Sequence, residues 1–322
     1  MSADLPSISV VVPVYRSAES LPELVATASP VLANLADQYE IIFVNDGSPD
    51  NSWAVIEALA QQYQQVRGIN LMRNYGQHSA LLCGIRAARY ELIITMDDDL
   101  QHPPEAIPLL LATLNKGSFD VVYGSPEDET HSLLRNLASQ ITKWALQSSM
   151  GVTTARKVSA FRIFRTNLRD AFAEYRSPYV SIDVLLTWGT TRFTAVHVAH
   201  RARKYGQSNY TLRKLVTHAF NMITGFTVVP LQIASLLGFS LALFGILILI
   251  YVIGRYLIEG GSVPGFPFLA AIIAIFSGAQ LFGLGMIGEY LARIHFRSME
   301  KPSYTVRNTI GSVQRDTEQD RP

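Results

Sequence analysis

The sequence predicts an α/β domain, a mostly parallel sheet with helices on both faces, followed by a C-terminal hairpin of two transmembrane helices. In the first 125 residues, short β-branched runs alternate with longer segments of helical periodicity. Repeats of this kind give parallel strands whose crossover helices cover both faces of the sheet. Residues 215–254 and 260–288 then contain no Asp, Glu, Lys or Arg. An apolar run of about 18 residues or more is long enough to cross a bilayer.

Taken in order, strands are expected at 8–14, 40–45, 67–72, 92–97 and 120–124, with helices at 21–35, 52–62, 77–88 and 104–115. Pro103 and Pro104 suit a helix start, where a missing N–H costs nothing. An amphipathic helix is expected at 133–150 and short strands at 161–164 and 193–199. Residues 1–210 are thus assigned to one domain. Residues 211–229, mixed basic and apolar, are expected as an interfacial helix. Residues 230–291 hold the two spans, about 230–257 and 266–288; a buried helical hairpin is the alternative. Residues 292–322 form a tail whose last stretch is polar and charged.

Charged residues make up only 16 % of the chain and net charge is +1. That balance gives no field for nucleic acid. The one cysteine, Cys83, excludes an intramolecular disulfide and a cysteine-rich zinc site, and reads as a small core residue. The N-terminus lacks the charged-then-apolar pattern of a signal peptide. Arg201, Arg203, Lys204, Arg213 and Lys214 precede the first span, and Arg293, Arg297, Lys301 and Arg307 follow the second. The loop between the spans has no Lys or Arg, so both termini are expected on the cytoplasmic side.

The strongest chemical signal is Asp97-Asp98-Asp99-Leu100-Gln101 at the end of an apolar strand. Ligands of open α/β sheets bind at the carboxyl ends of strands. Adjacent carboxylates repel unless a cation compensates, and Mg²⁺ joins one or two carboxylates to substrate phosphates. The pattern fits a metal–diphosphate site; it also fits a solvated acidic turn or a helix N-cap cluster. Asn45-Asp46-Gly47-Ser48 ends another strand, where Asp46 is able to accept hydrogen bonds from a base or ribose, or simply to form a turn. If the strands ending at Tyr15, Asp46 and Asp97 are neighbours, three loops meet in one crevice.

Together with Val12-Pro13-Val14-Tyr15, Arg73-Asn74-Tyr75-Gly76 and Pro103-Pro104-Glu105, these residues resemble the family 2 glycosyltransferases of GT-A (Rossmann-like) fold. Within that family the chain is similar to the polyprenyl-phosphate glycosyltransferases, the dolichyl-phosphate mannose synthases and bacterial undecaprenyl-phosphate sugar transferases. The resemblance implies transfer of a sugar from a nucleotide-sugar, UDP-hexose by analogy, to a polyprenyl phosphate. It implies Mg²⁺ or Mn²⁺ as cofactor, a homotetramer, and residence in the bacterial inner membrane. Pro13, Tyr15, Glu19 and Asp46 would line the nucleotide pocket, and Asp97 would face the sugar-nucleotide. Asp99 and Gln101 would hold the metal. Arg135, Ser139 and Arg162 would contact phosphate. Arg203, before Tyr205-Gly206-Gln207-Ser208-Asn209-Tyr210, would meet the acceptor phosphate.

Two departures stand out. Gly124-Ser125-Pro126 lacks the arginine that many relatives carry after Gly-Ser, and Arg156-Lys157-Val158-Ser159-Ala160 lacks their acidic residues before the Phe-Arg pair. A phosphate acceptor tolerates the second loss. With a second pKa near 6 it is mostly dianionic at pH 7 and needs little help from a base. The competing readings are a processive synthase, whose Gln-x-x-Arg-Trp signature is absent, a transferase acting on a hydroxyl, and a non-catalytic membrane scaffold.

Overall fold

The computed structural model describes residues 5–125, 158–177, 179–199, 201, 229–259, 266–299 and 301–311. The chain forms two compact units, Met1–Val216 with Glu300–Pro322, and Thr217–Met299.

The first unit is built on one eight-stranded sheet. Its first half runs β1 (Ser7–Val14), α1 (Leu21–Leu35), β2 (Gln38–Asn45), α2 (Ser52–Gln62), β3 (Val66–Leu71), α3 (Gln77–Ala87) and β4 (Leu92–Thr95). A short 3₁₀ turn, Pro104–Ala106, leads into α4 (Ile107–Lys116) and β5 (Val121–Ser125). After residues 126–157 come β6 (Arg162–Arg165), α5 (Ile182–Gly189) and β7 (Phe193–His197). The eighth strand, β8 (Val306–Ile310), comes from the segment assigned to the tail. Strand order is β7-β5-β6-β4-β1-β2-β3-β8.

The centre, β4-β1-β2-β3, is parallel, as expected from the alternating pattern. β6 enters antiparallel between β4 and β5, and β8 adds antiparallel to the edge of β3. β1 is buried on both faces. Val10, Val12 and Val14 join the cluster with Leu21, Leu24, Val25 and Ala28 of α1. On the other face α3 approaches so closely that a Cβ on Gly84 would lie 2.3 Å from Cγ1 of Val11. Side chains alternate across a strand, so a near-continuous apolar run serves both layers.

At the amino ends of the strands the buried carboxylate of Glu40 ties three segments together. It accepts from Ser9 Oγ (2.7 Å), Arg67 Nη1 (2.6 Å) and the backbone N–H of Arg89 (2.9 Å). The C-terminal segment is fastened to the same unit. The backbone N–H of Met72 donates to Thr305 (2.9 Å), Ser303 Oγ donates to the carbonyl of Ser177 (2.7 Å), and the Arg86 guanidinium lies over the Tyr304 ring. An exposed strand edge invites unwanted pairing, and β8 covers that of β3.

The second unit holds α6 (Val229–Glu259) and α7 (Phe266–Ser298), which pack against each other. Gly245 permits the approach: a Cβ there would lie 2.9 Å from Cζ of Phe276. Leu231–Tyr251 has mean hydropathy 2.6, is unburied by protein, and is long and apolar enough to cross a membrane. Leu236, Phe239 and Ile250 are exposed. The helices expected at 133–150 and 211–229 lie outside the described residues.

Candidate active site

The chain order reverses at β1, which has β2 on one side and β4 on the other. A crevice opens outside the carboxyl ends of the strands at such a switch point. The loops after β1, β2, β3 and β4 all begin there, and they carry the motifs read from the sequence.

Asp46 follows β2 and is 3 % exposed. Its Oδ1 accepts the backbone N–H of Tyr75 at 2.7 Å and its Oδ2 that of Gly76 at 2.8 Å. One carboxylate thereby holds the loop after β3 against the loop after β2. Burial pushes its carboxyl above the ordinary value of 3.8, and the two N–H donors and the Arg73 guanidinium pull the other way. Asn45 Nδ2 donates to Asn70 Oδ1 at 2.9 Å and joins the same two strand ends. The Arg73 guanidinium stacks on the Tyr75 ring, 4.2 Å from its centroid.

The three adjacent aspartates do three different things. Asp97 Oδ1 accepts from Gln77 Nε2, at the first turn of α3, at 2.6 Å. Asp98 turns toward the loop after β1, where its Oδ2 accepts the Ser17 hydroxyl and the backbone N–H of Tyr15 (3.4 Å). Burial raises its carboxyl to about 6 against the pull of those two donors. Asp99 Oδ1 accepts the backbone N–H of Gln101 at 3.1 Å. Leu100, between them, has φ +58°. That conformation costs a non-glycine residue about 1–2 kcal/mol and is held by the surrounding bonds.

The chain approaching Arg203 is anchored to this acidic loop. The backbone N–H of Arg201 donates to the carbonyl of Gln101 at 2.9 Å, and its guanidinium lies 3.4 Å from Glu105. The charge pair is exposed on both sides and contributes little by itself. The backbone bond fixes Arg201 itself.

Of the residues singled out from the sequence, Pro13 is buried in β1, Tyr15 is 40 % exposed at its end, and Glu19 is exposed in the turn before α1. Asp97, Asp99 and Gln101 are half-buried at the crevice. Arg162 is placed differently from the phosphate-binding expectation. It is 2 % exposed and its guanidinium is paired with buried Asp183, which also accepts the Tyr123 hydroxyl at 3.1 Å. Burial, then the Asp183 charge, holds that hydroxyl well above its ordinary value of 10, so it stays a donor. A guanidinium enclosed this way is committed to an internal ion pair. Arg135, Ser139 and Arg203 lie outside the described residues.

The individual roles of Asp98, Gln77 and Asp183 escaped the sequence reading. Asp98 stood in the open within the acidic run, but spacing alone does not tell which way a loop carboxylate points. Asp183 sits in a short helix whose other described residues are mostly apolar, and no local pattern marks its partner.

The donor set suits a divalent cation that also binds substrate. Asp97 and Asp99 are half-buried, and Mg²⁺ takes one or two carboxylates with phosphates and water. Among the described residues no group of three or more His, Cys, Asp or Glu forms a closed cage.

Comparison with known proteins gives a consistent picture. The profile described as glycosyl transferase family 2 matches residues 9–175. Undecaprenyl-phosphate 4-deoxy-4-formamido-L-arabinose transferase of Yersinia pestis (strain Pestoides F) is 34 % identical, the match covering 99 % of this chain and 98 % of that protein. The protein of the same name from Serratia proteamaculans (strain 568) is 36 % identical over 94 % of each chain. Among solved structures, glucosyl-3-phosphoglycerate synthase from Mycobacterium tuberculosis, crystallised with Mn²⁺, UDP-glucose and phosphoglyceric acid, superposes with a TM-score of 0.51. Identity there is 19 %, with 68 % of this chain and 78 % of that one covered, which shows the shared fold.

Proposed function

The chain belongs to glycosyl transferase family 2, and on that premise we propose that it moves a sugar from a UDP carrier to undecaprenyl phosphate at a membrane surface. One observation carries the reading. The loop of residues 97–101 meets the loops held by Asp46 on one side and accepts the backbone N–H of Arg201 on the other. Arg203 lies two residues beyond Arg201, so donor and acceptor chemistry would share this short stretch of backbone.

In this reading the lipid phosphate oxygen attacks the anomeric carbon. The new C–O bond forms as the bond to the nucleotide diphosphate breaks, and configuration inverts. The attacking phosphate is mostly dianionic at pH 7, so no general base is required. Pro13, Tyr15, Glu19 and Asp46 form the nucleotide side. Asp46 acts mainly by holding the loop with Tyr75 and Gly76, and each of its oxygens keeps a second lone pair for the base. Asp97, fixed by Gln77, faces the sugar-nucleotide. Asp99 with Gln101 would hold a divalent cation, Mg²⁺ or Mn²⁺, which supplies Lewis-acid neutralisation of the leaving diphosphate. Arg135, Ser139 and Arg203 bring the anions together, for which arginine's planar fork is suited.

α6 and α7 serve as two membrane spans, with the basic flanks and the catalytic unit on the cytoplasmic face of a bacterial inner membrane. A homotetramer, implied by resemblance, is part of this reading, and native mass spectrometry tests it.

The relatives' names point to a formamido-arabinose rather than a hexose. The decisive experiment therefore supplies the detergent-solubilised protein with undecaprenyl phosphate, Mg²⁺ or Mn²⁺, and a panel of UDP- and GDP-sugars. Metal-dependent formation of one lipid-linked sugar, abolished in D99A, supports the reading and names the donor. A folded protein that binds UDP yet yields no lipid-linked product overturns the acceptor.

A further inference from the structure

Three successive backbone N–H groups after β1 are taken by side chains from two other loops. The N–H of Tyr15 goes to Asp98 Oδ2 (3.4 Å), that of Arg16 to Ser48 Oγ (3.2 Å) and that of Ser17 to Ser52 Oγ (3.0 Å). The middle residue, Arg16, has φ +60°. Consecutive N–H groups around a left-handed residue commonly form an anion-binding nest. Here they are filled by the protein, so this turn offers its side chains and not its amides.

The filling is continuous. Ser52, fully buried, donates its hydroxyl to Asp50 Oδ1 at 2.7 Å, and Asp50 Oδ2 accepts the N–H of Ala18 at 3.4 Å. On the opposite side Asp98 takes both the Ser17 hydroxyl and the Tyr15 N–H on one oxygen. The Tyr15–Ser17 turn is thus pinned between the loops of β2 and β4, the strands flanking β1 in the sheet. Of these anchors, the Asp98 side alone comes from the loop that carries Asp97 and Asp99.

We infer that Asp98 is a positioning residue, which locks the Tyr15 turn onto the acidic loop so that the nucleotide face and the diphosphate face are held at a fixed separation. This rests on the reading of the crevice as a UDP-sugar site. Asp98 need not touch substrate. It sets the register between Tyr15, whose ring is exposed, and its two neighbouring carboxylates. Removing the lock should cost donor affinity before it costs chemistry.

The test uses the full-length protein with UDP-sugar turnover and calorimetric binding of UDP in Mg²⁺. D98A should weaken UDP binding and raise the donor KM by about tenfold, the scale of a lost charge-assisted hydrogen bond, with a much smaller change in kcat. Since one oxygen makes both contacts, D98N keeps the acceptor and should recover most of the loss. S17A should weaken binding in the same direction, and D98A/S17A should be no worse than D98A. Additive losses overturn the inference. So does a D98N as inactive as D99A, which would make Asp98 a ligand of metal or substrate. So does a D98A with lowered melting temperature and unchanged UDP affinity, which would make it merely structural. Absence of UDP binding by the wild-type protein overturns the donor site itself, and the inference with it.

Discussion

Gly47 and Arg73 meet backbone to backbone. A Cβ on Gly47 would lie 2.5 Å from the carbonyl carbon of Arg73, and Gly47 has φ +63°. Two loops of the crevice touch at this point, just beside the bonds that Asp46 makes to Tyr75 and Gly76. Only glycine meets both demands, the left-handed conformation and the missing side chain.

G47A should therefore destabilise the protein by about 2 kcal/mol or more, combining left-handed strain with displacement of backbone. UDP binding should weaken more than global stability falls. Thermal unfolding and calorimetry on the same sample check this. An unchanged melting temperature would show that the loops are not in contact.

The sign of the pH effect at Asp46 follows from its raised carboxyl. The folded chain holds this proton more tightly than the unfolded chain, whose value is near 3.8. Stability from this group is greatest below 3.8, declines as pH rises through 3.8 and the folded value, and is level above. D46N removes that dependence. Urea unfolding should show wild type gaining on D46N as pH is lowered from 7 to 4. A gap that widens toward pH 7 would mean that the N–H donors outweigh burial.

Cys83 is the one cysteine, and it is buried in α3. Burial pushes its thiol up to about 12. At pH 8 almost none of it then carries the reactive thiolate. Iodoacetamide should leave the native protein unlabelled and label it fully in urea, read by mass spectrometry. Rapid native labelling would mean that α3 opens readily.

Arg162 and Asp183 form an enclosed ion pair, 2 % and 7 % exposed at their side chains. R162A or D183A should each cost about 3–5 kcal/mol, because the remaining charge is stranded. Replacing both, R162M/D183L, should recover much of that. If Arg162 instead binds phosphate, R162A would lose activity without losing stability.

Much of the architecture was legible in the sequence. The bounds of α1 and α2 coincide with those read from periodicity, because each is a continuous apolar stripe with a clear start and stop. The loops that meet at the crevice were legible as motifs at strand ends. Not legible were β8 and the antiparallel entry of β6. The residues 306–310 carry no apolar alternation strong enough to mark a strand, and they become one only where the edge of β3 offers unpaired N–H and C=O groups.

Asp97, Asp98 and Asp99 draw the line between the two kinds of information. Local sequence determined that three carboxylates stand at the end of an apolar strand, and that two long uncharged stretches follow later in the chain. Periodicity and composition act over a few residues, so they are readable from a few residues. The direction of each carboxylate was decided by the fold. Asp97 meets Gln77, Asp98 meets a backbone N–H 83 positions away, and Asp99 turns back on its own loop. Those bonds exist only once β1, β2, β3 and β4 lie side by side, because a hydrogen bond needs its partner within about 3 Å and no stretch of sequence brings it there alone.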